Sequence, residues 1–91
     1  MTLTVYYTSV TSSLKIRKCQ ESISCILTSK NIKHEMVDIS QDASVRDLMR
    51  EKAGNPSALP PQICNGDHYC GDYDAFQEAI EMGNLDEFLR L

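Results

Sequence analysis

No stretch of this 91-residue sequence approaches the ~20 consecutive apolar residues that a membrane-spanning helix needs, so membrane insertion is not expected. No run of Lys or Arg is present either, and 9 basic residues against 13 acidic ones give a formal net charge of −4. Nucleic acid and anionic membrane surfaces are therefore not expected as partners. The first residues, Met1-Thr2-Leu3-Thr4-Val5-Tyr6-Tyr7, lack the basic and long apolar segments of a secretory signal. The expected location is the cytoplasm, with the nucleus open to a chain this small. Of the four cysteines (Cys19, Cys25, Cys64 and Cys70), no two stand at Cys-x-x-Cys spacing. An even count leaves three disulfide pairings open, but without a secretory signal reduced thiols are the default. Cys64, Cys70, His68 and His34 lack metal-ligand spacing, and the scattered acidic residues form no calcium loop. No metal and no other cofactor is expected. Pro56, Pro60 and Pro61 make no Pro-x-x-Pro segment, which argues against a plain SH3-domain ligand.

At 91 residues the chain is expected to be one domain, residues 1–91, with one modest core and no linker or repeat. Leu3 to Tyr7 is rich in β-branched and aromatic residues and reads as a first strand. A polar loop, Thr8 to Ser13, ends in an N-cap at Ser12 or Ser13. Leu14 to Ser29 reads as a helix, because Ile16, Cys19, Ile23, Ile26 and Leu27 fall within an arc of about 100°. This stripe buries Cys19 and turns Cys25 to solvent, and Asn31 follows as a left-handed cap. Ile32 to Ile39 is a second strand with Met36, Val37 and Ile39 at its core. Ser40 or Asp42 caps a second helix, carrying Val45, Leu48 and Met49 and ended by Gly54-Asn55-Pro56.

The most informative stretch runs from Ala58 to Tyr73. Pro60-Pro61 cannot donate to a ladder and marks an edge, a bulge or a cis bond before Pro61. Asn65-Gly66 reads as a hairpin turn between two short strands. Cys64 and Cys70 flank this turn, and spacing alone leaves open whether they face each other. Asp72 or Asp74 starts a third helix with Phe76, Ala79 and Ile80, closed by Gly83. Asn84 and Glu87 have capping-box spacing for a last helix, Leu85 to Arg90. Leu89-Arg90-Leu91 fits either a carboxylate-docking end or a last turn packed on the body. The order β-α-β, α, β-β, α predicts a right-handed parallel unit extended by an antiparallel hairpin, with helices on both faces.

With Pro60-Pro61-Gln62-Ile63 before a hairpin and Gly71-Asp72-Tyr73-Asp74 at a helix start, the chain resembles the glutaredoxin branch of the thioredoxin fold. More closely it resembles the SH3 domain-binding glutamic acid-rich family. Thr8-Ser9-Val10-Thr11, Val37-Asp38-Ile39-Ser40-Gln41-Asp42, Ala53-Gly54-Asn55-Pro56, Asn65-Gly66-Asp67 and Tyr69-Cys70-Gly71-Asp72-Tyr73 carry that resemblance, and they span nearly the whole chain. It implies a thioredoxin-like, glutaredoxin-type α/β/α sandwich with a four-stranded mixed sheet and Pro61 as the cis proline. Glutaredoxins carry their nucleophilic cysteine in the loop after the first strand, at a helix N-terminus that favours the thiolate. Here Thr8 to Ser13 contains no cysteine, and Ser or Thr cannot take part in thiol–disulfide exchange.

The expectation is therefore a non-catalytic, glutaredoxin-like adaptor, or a modulator of glutaredoxin-linked signalling, acting as a monomer through protein partners. The candidate site is the relic glutathione or peptide cleft formed by Thr8, Ser9, Val10, Thr11, Pro60, Pro61, Asp72 and Tyr73. Glutathione is expected there at most as a weak ligand. The rival expectations are residual glutathione-linked redox work through a displaced thiol, Cys70 or Cys25, and an SH3-domain ligand.

Overall fold

Leu3–Tyr7 forms strand β1, the centre on which the other elements assemble. The computed structural model describes residues 2–91. Helix α1 (Leu14–Ser29) follows, then β2 (Glu35–Asp38), α2 (Ala43–Ala53), β3 (Gln62–Asn65), β4 (His68–Asp72), α3 (Tyr73–Glu81) and the short α4 (Leu85–Phe88). The sheet order is β2-β1-β3-β4. β1 pairs parallel with β2 and antiparallel with β3, and β3 pairs antiparallel with β4. The mixed sheet and the cis Pro60-Pro61 bond agree with the expected architecture.

Alternation along β1 and β3 sends side chains to both faces, and both faces are covered. Leu3, Val5 and Ile63 meet Ile23 and Leu27 of α1, Phe76 and Ala79 of α3, and Leu85 and Leu89 on one side. Tyr6 and Cys64 meet Met49 of α2 and Ala58 on the other. Phe76 and Phe88 pack edge to face, with ring centres 6.3 Å apart.

Local chemistry sets the boundaries. Ser13 caps α1, its side chain accepting the Ile16 N–H, and Asp42 caps α2 through Ser44 N–H. Asp72 caps α3 through Ala75 N–H at 3.0 Å. Asn31 (φ 57°) and Gly54 (φ 66°) take the left-handed conformation just past α1 and α2.

Several sequence readings need correction. β2 is a short edge strand of four residues, and Met36 on it is exposed, because no element covers that edge. Leu48 is exposed as well, so α2 buries only Met49. The hairpin turn is Gly66-Asp67: Asn65 is the last residue of β3, paired with His68, and only Gly66 takes positive φ. The capping box before α4 is absent. The Asn84 side chain makes no cap bond, and α4 stops at Phe88. Leu89 is wholly buried, in accord with a last turn packed on the body.

Candidate functional site

The loop after β1 is held from two sides. Gln20, buried on α1, accepts the Thr8 N–H through Oε1 at 2.8 Å and donates Nε2 to the Thr8 carbonyl at 3.0 Å. One side chain thus satisfies both backbone groups of a buried residue, as burial demands. On the other side, Asp38 at the end of β2 accepts the N–H and hydroxyl of Ser9 and the N–H and hydroxyl of Ser40. Desolvation pushes the Asp38 carboxyl up, but these four hydrogen bonds outweigh it and hold the group well below the usual carboxylate range. Thr8 Oγ1 and Thr11 Oγ1 accept the N–H groups of Val10 and Ser13. The loop spends most of its polar groups on its own conformation.

Opposite the start of α1 lies the proline loop. Gln62 donates Nε2 to the Leu59 carbonyl at 2.7 Å and accepts the Tyr69 hydroxyl, while Arg50 donates to the Ala58 carbonyl at 3.2 Å. Between this loop, α1 and the start of α3 runs a groove of about 430 Å³. Ile16, Cys19, Leu59, Pro60 and Pro61 form its apolar lining, with Lys15 of α1 and Asp72 and Asp74 at the start of α3 as its charged groups.

Of the expected site residues, Pro60, Pro61, Asp72 and Tyr73 line this groove. Thr8, Ser9 and Thr11 do not. They border a second hollow of about 710 Å³ on the far side of the loop, with Tyr7, Cys25 and Met36. Val10 lines neither and is 75% exposed. The eight residues thus divide between two surfaces, because the Gln20 and Asp38 anchors draw residues 8–11 away from the proline loop.

Cys19 was not foreseen here. The stripe of α1 that buries Ile23 and Leu27 overhangs the groove at its N-terminal end, so Ile16 and Cys19 are only partly covered. Stripe residues within two turns of a helix start that faces a cleft carry that signal. Partial burial raises the Cys19 thiol above its ordinary value, with Lys15 opposing and Asp74 adding to the rise. Gln20 was also missed, since a polar residue inside an apolar stripe reads as solvent-facing until its backbone partner is known.

The remaining thiols are separate. A bulge in β4 sets Cys64 opposite Tyr69 and Ile63 opposite Gly71, leaving Cys70 as the extra residue. Cys64 belongs to the core on the α2 side and Cys70 packs against the larger core, so the two project to opposite faces. All four cysteines are free. Burial pushes Cys70 up to about 11, the nearby Cys64 adding and Arg90 opposing, and burial also raises Cys64. At neutral pH the Cys70 thiolate fraction is then only ~10⁻⁴, against a few per cent for a free thiol. Cys25 is exposed on α1, as its place opposite the stripe predicts. No three of the described His, Cys, Asp and Glu side chains are grouped to hold a metal ion. No described helix is long and apolar enough to cross a membrane.

Known proteins are similar to this chain in sequence and in fold. The family model described as SH3-binding, glutamic acid-rich protein matches residues 1–91. An SH3 domain-binding glutamic acid-rich protein homolog of Drosophila melanogaster is 39% identical over 103 aligned residues, and the chain spans 65% of that relative's length. Among solved structures, the C. albicans actin interacting protein Aip5 superposes with a TM-score of 0.80 at 20% identity, over 97% of this chain and 87% of that one. A buckwheat glutaredoxin–glutathione complex gives 0.73 at 13%, over 97% and 76%, and E. coli glutaredoxin gives 0.62 at 17%, over 91% and 96%. These likenesses establish a glutaredoxin-type, thioredoxin-like fold.

Proposed function

The chain belongs to the SH3-binding, glutamic acid-rich protein family and has a glutaredoxin-like fold, and from that premise we propose that it is a non-catalytic protein-binding module. One observation carries the reading. The groove beside Pro61 is present, but the loop that carries the nucleophile in glutaredoxins holds no thiol, and the cysteine nearest the groove is driven toward its protonated form. Thiol–disulfide exchange needs a thiolate with access to its target, and neither Cys19 nor Cys70 offers one. A concave surface is left for protein partners, in line with the SH3 domain-binding name of the Drosophila relative. The buried Pro60 and Pro61 give no exposed polyproline II face, so SH3-domain binding by a proline segment is not the favoured mode. The protein acts in the cytoplasm as a monomeric adaptor or modulator.

A reductase assay with glutathione and a mixed-disulfide substrate tests this reading. The expected rate equals the uncatalysed background. Turnover above background that disappears when any one cysteine is changed to serine would overturn it and favour the displaced-thiol enzyme.

A further inference from the structure

The groove beside Pro60 and Pro61 is unusual in which polar groups it offers. Along residues 57–61 the Ser57 N–H is spent on Asn55 Oδ1 and the Ala58 N–H on the Asn55 carbonyl. Pro60 and Pro61 have no N–H at all. Of the backbone N–H groups along this stretch only that of Leu59 has no hydrogen-bond partner among the described residues, and the Ser57 hydroxyl and Asn55 side-chain amide add two further free donors on this wall. The facing wall brings two exposed carboxylates, Asp72 and Asp74, against the one ammonium of Lys15. Asp72 uses one oxygen on the Ala75 N–H and keeps the other free. Leu59, 61% exposed, and the partly covered Ile16 give the groove its apolar surface. The surface is apolar along its floor and negative at its rim.

We propose that this groove takes an extended, positively charged segment of a partner protein, which brings Arg or Lys to Asp72 and Asp74 and an apolar side chain to Leu59 and Ile16. The inference rests on the protein-binding reading above and gives its partner a chemistry. Charge complementarity argues for this occupant. A guanidinium or ammonium meets two carboxylates that make no ion pair among the described residues and outnumber the single Lys15 in the groove. The same rim repels glutathione, which carries two carboxylates and one amine. An acidic peptide meets the same repulsion.

A degenerate library of acetylated, amidated pentapeptides selected on the immobilised full chain tests the proposal, with amide NMR placing the winners. Selected peptides are expected to be enriched in Arg and Lys and to shift amides at Ser57–Leu59, Gln62 and Asp72–Asp74. The D72N/D74N double variant, in which Asn still caps α3, should weaken them about five- to tenfold. D74K should move the selection toward acidic peptides. Selection of neutral or acidic peptides in this groove, or tighter binding of reduced glutathione than of the cationic winners, would overturn the charge assignment while leaving the groove as a protein-binding surface. Winners that shift none of these amides would overturn the site itself, whereas the reductase assay alone decides whether the protein is catalytic.

Discussion

Gly71 bears two constraints at once. Its φ of +151° lies where L side chains rarely go, and a Cβ there would stand 3.0 Å from the Ala75 Cβ and 3.0 Å from the Phe88 ring. Phe88 packs against the core, and the Ala75 Cβ is fixed to the backbone of α3, so neither can swing aside. G71A should therefore cost about 2–4 kcal/mol in denaturant unfolding, combining backbone strain with overpacking. Gly54 has positive φ but open space around it, so G54A should cost only about 1 kcal/mol. Equal losses at the two sites would show that Phe88 does not press on the β4 backbone. Asp38 supplies a pH test. Its pKa is lowered on folding, so its contribution is complete above the usual value of 3.8 and is lost as pH falls below that through the folded value. Acid titration should loosen the Ser9 and Ser40 amides together below about pH 4, read by hydrogen exchange, and D38N should loosen them already at pH 7. Protection that is unchanged in D38N would mean that Asp38 does not anchor the loop.

Among the elements, α1 shows most plainly where this chain is like the glutaredoxin-type fold and where it differs from the expected thiol site. Its N-terminus opens on the groove with Ser13 as the cap, where a thiol would gain from the helix dipole and the free N–H groups. S13C should carry a thiol with a pKa below the ordinary ~8.5, measured by pH-resolved alkylation, at a cost of about 1 kcal/mol in cap energy. An unshifted value would mean that the helix start does not favour a thiolate at the groove. The boundaries of α1 and β1 were legible in the sequence because periodicity, a polar loop and a serine cap all agreed there. β2 and α2 were less so. Met36 and Leu48 have apolar identity and the right spacing, but they sit on an uncovered sheet edge and an outer helix face. Whether a face is covered is a tertiary fact. The β4 bulge was invisible for the same reason, since one extra residue changes no local pattern yet sends Cys70 away from Cys64.

As a whole, the molecule keeps a scaffold whose two prolines, helix caps and acidic rim build one groove, while its thiols lie elsewhere or are held protonated. The proline half of that site was readable from Pro60, Pro61, Asp72 and Tyr73. The half drawn from Thr8 to Thr11 was not, because Gln20 and Asp38, distant in sequence, pull that loop to another surface. The central claim is that this glutaredoxin-like fold presents no activated thiol at its groove or on its β4 edge. Residue-resolved alkylation across pH, read by mass spectrometry, tests it most directly. Cys19, Cys64 and Cys70 should all titrate above an ordinary exposed thiol, with Cys70 near 11. A pKa near or below neutrality for Cys19 or Cys70 would contradict the account and return the protein to the thiol enzymes.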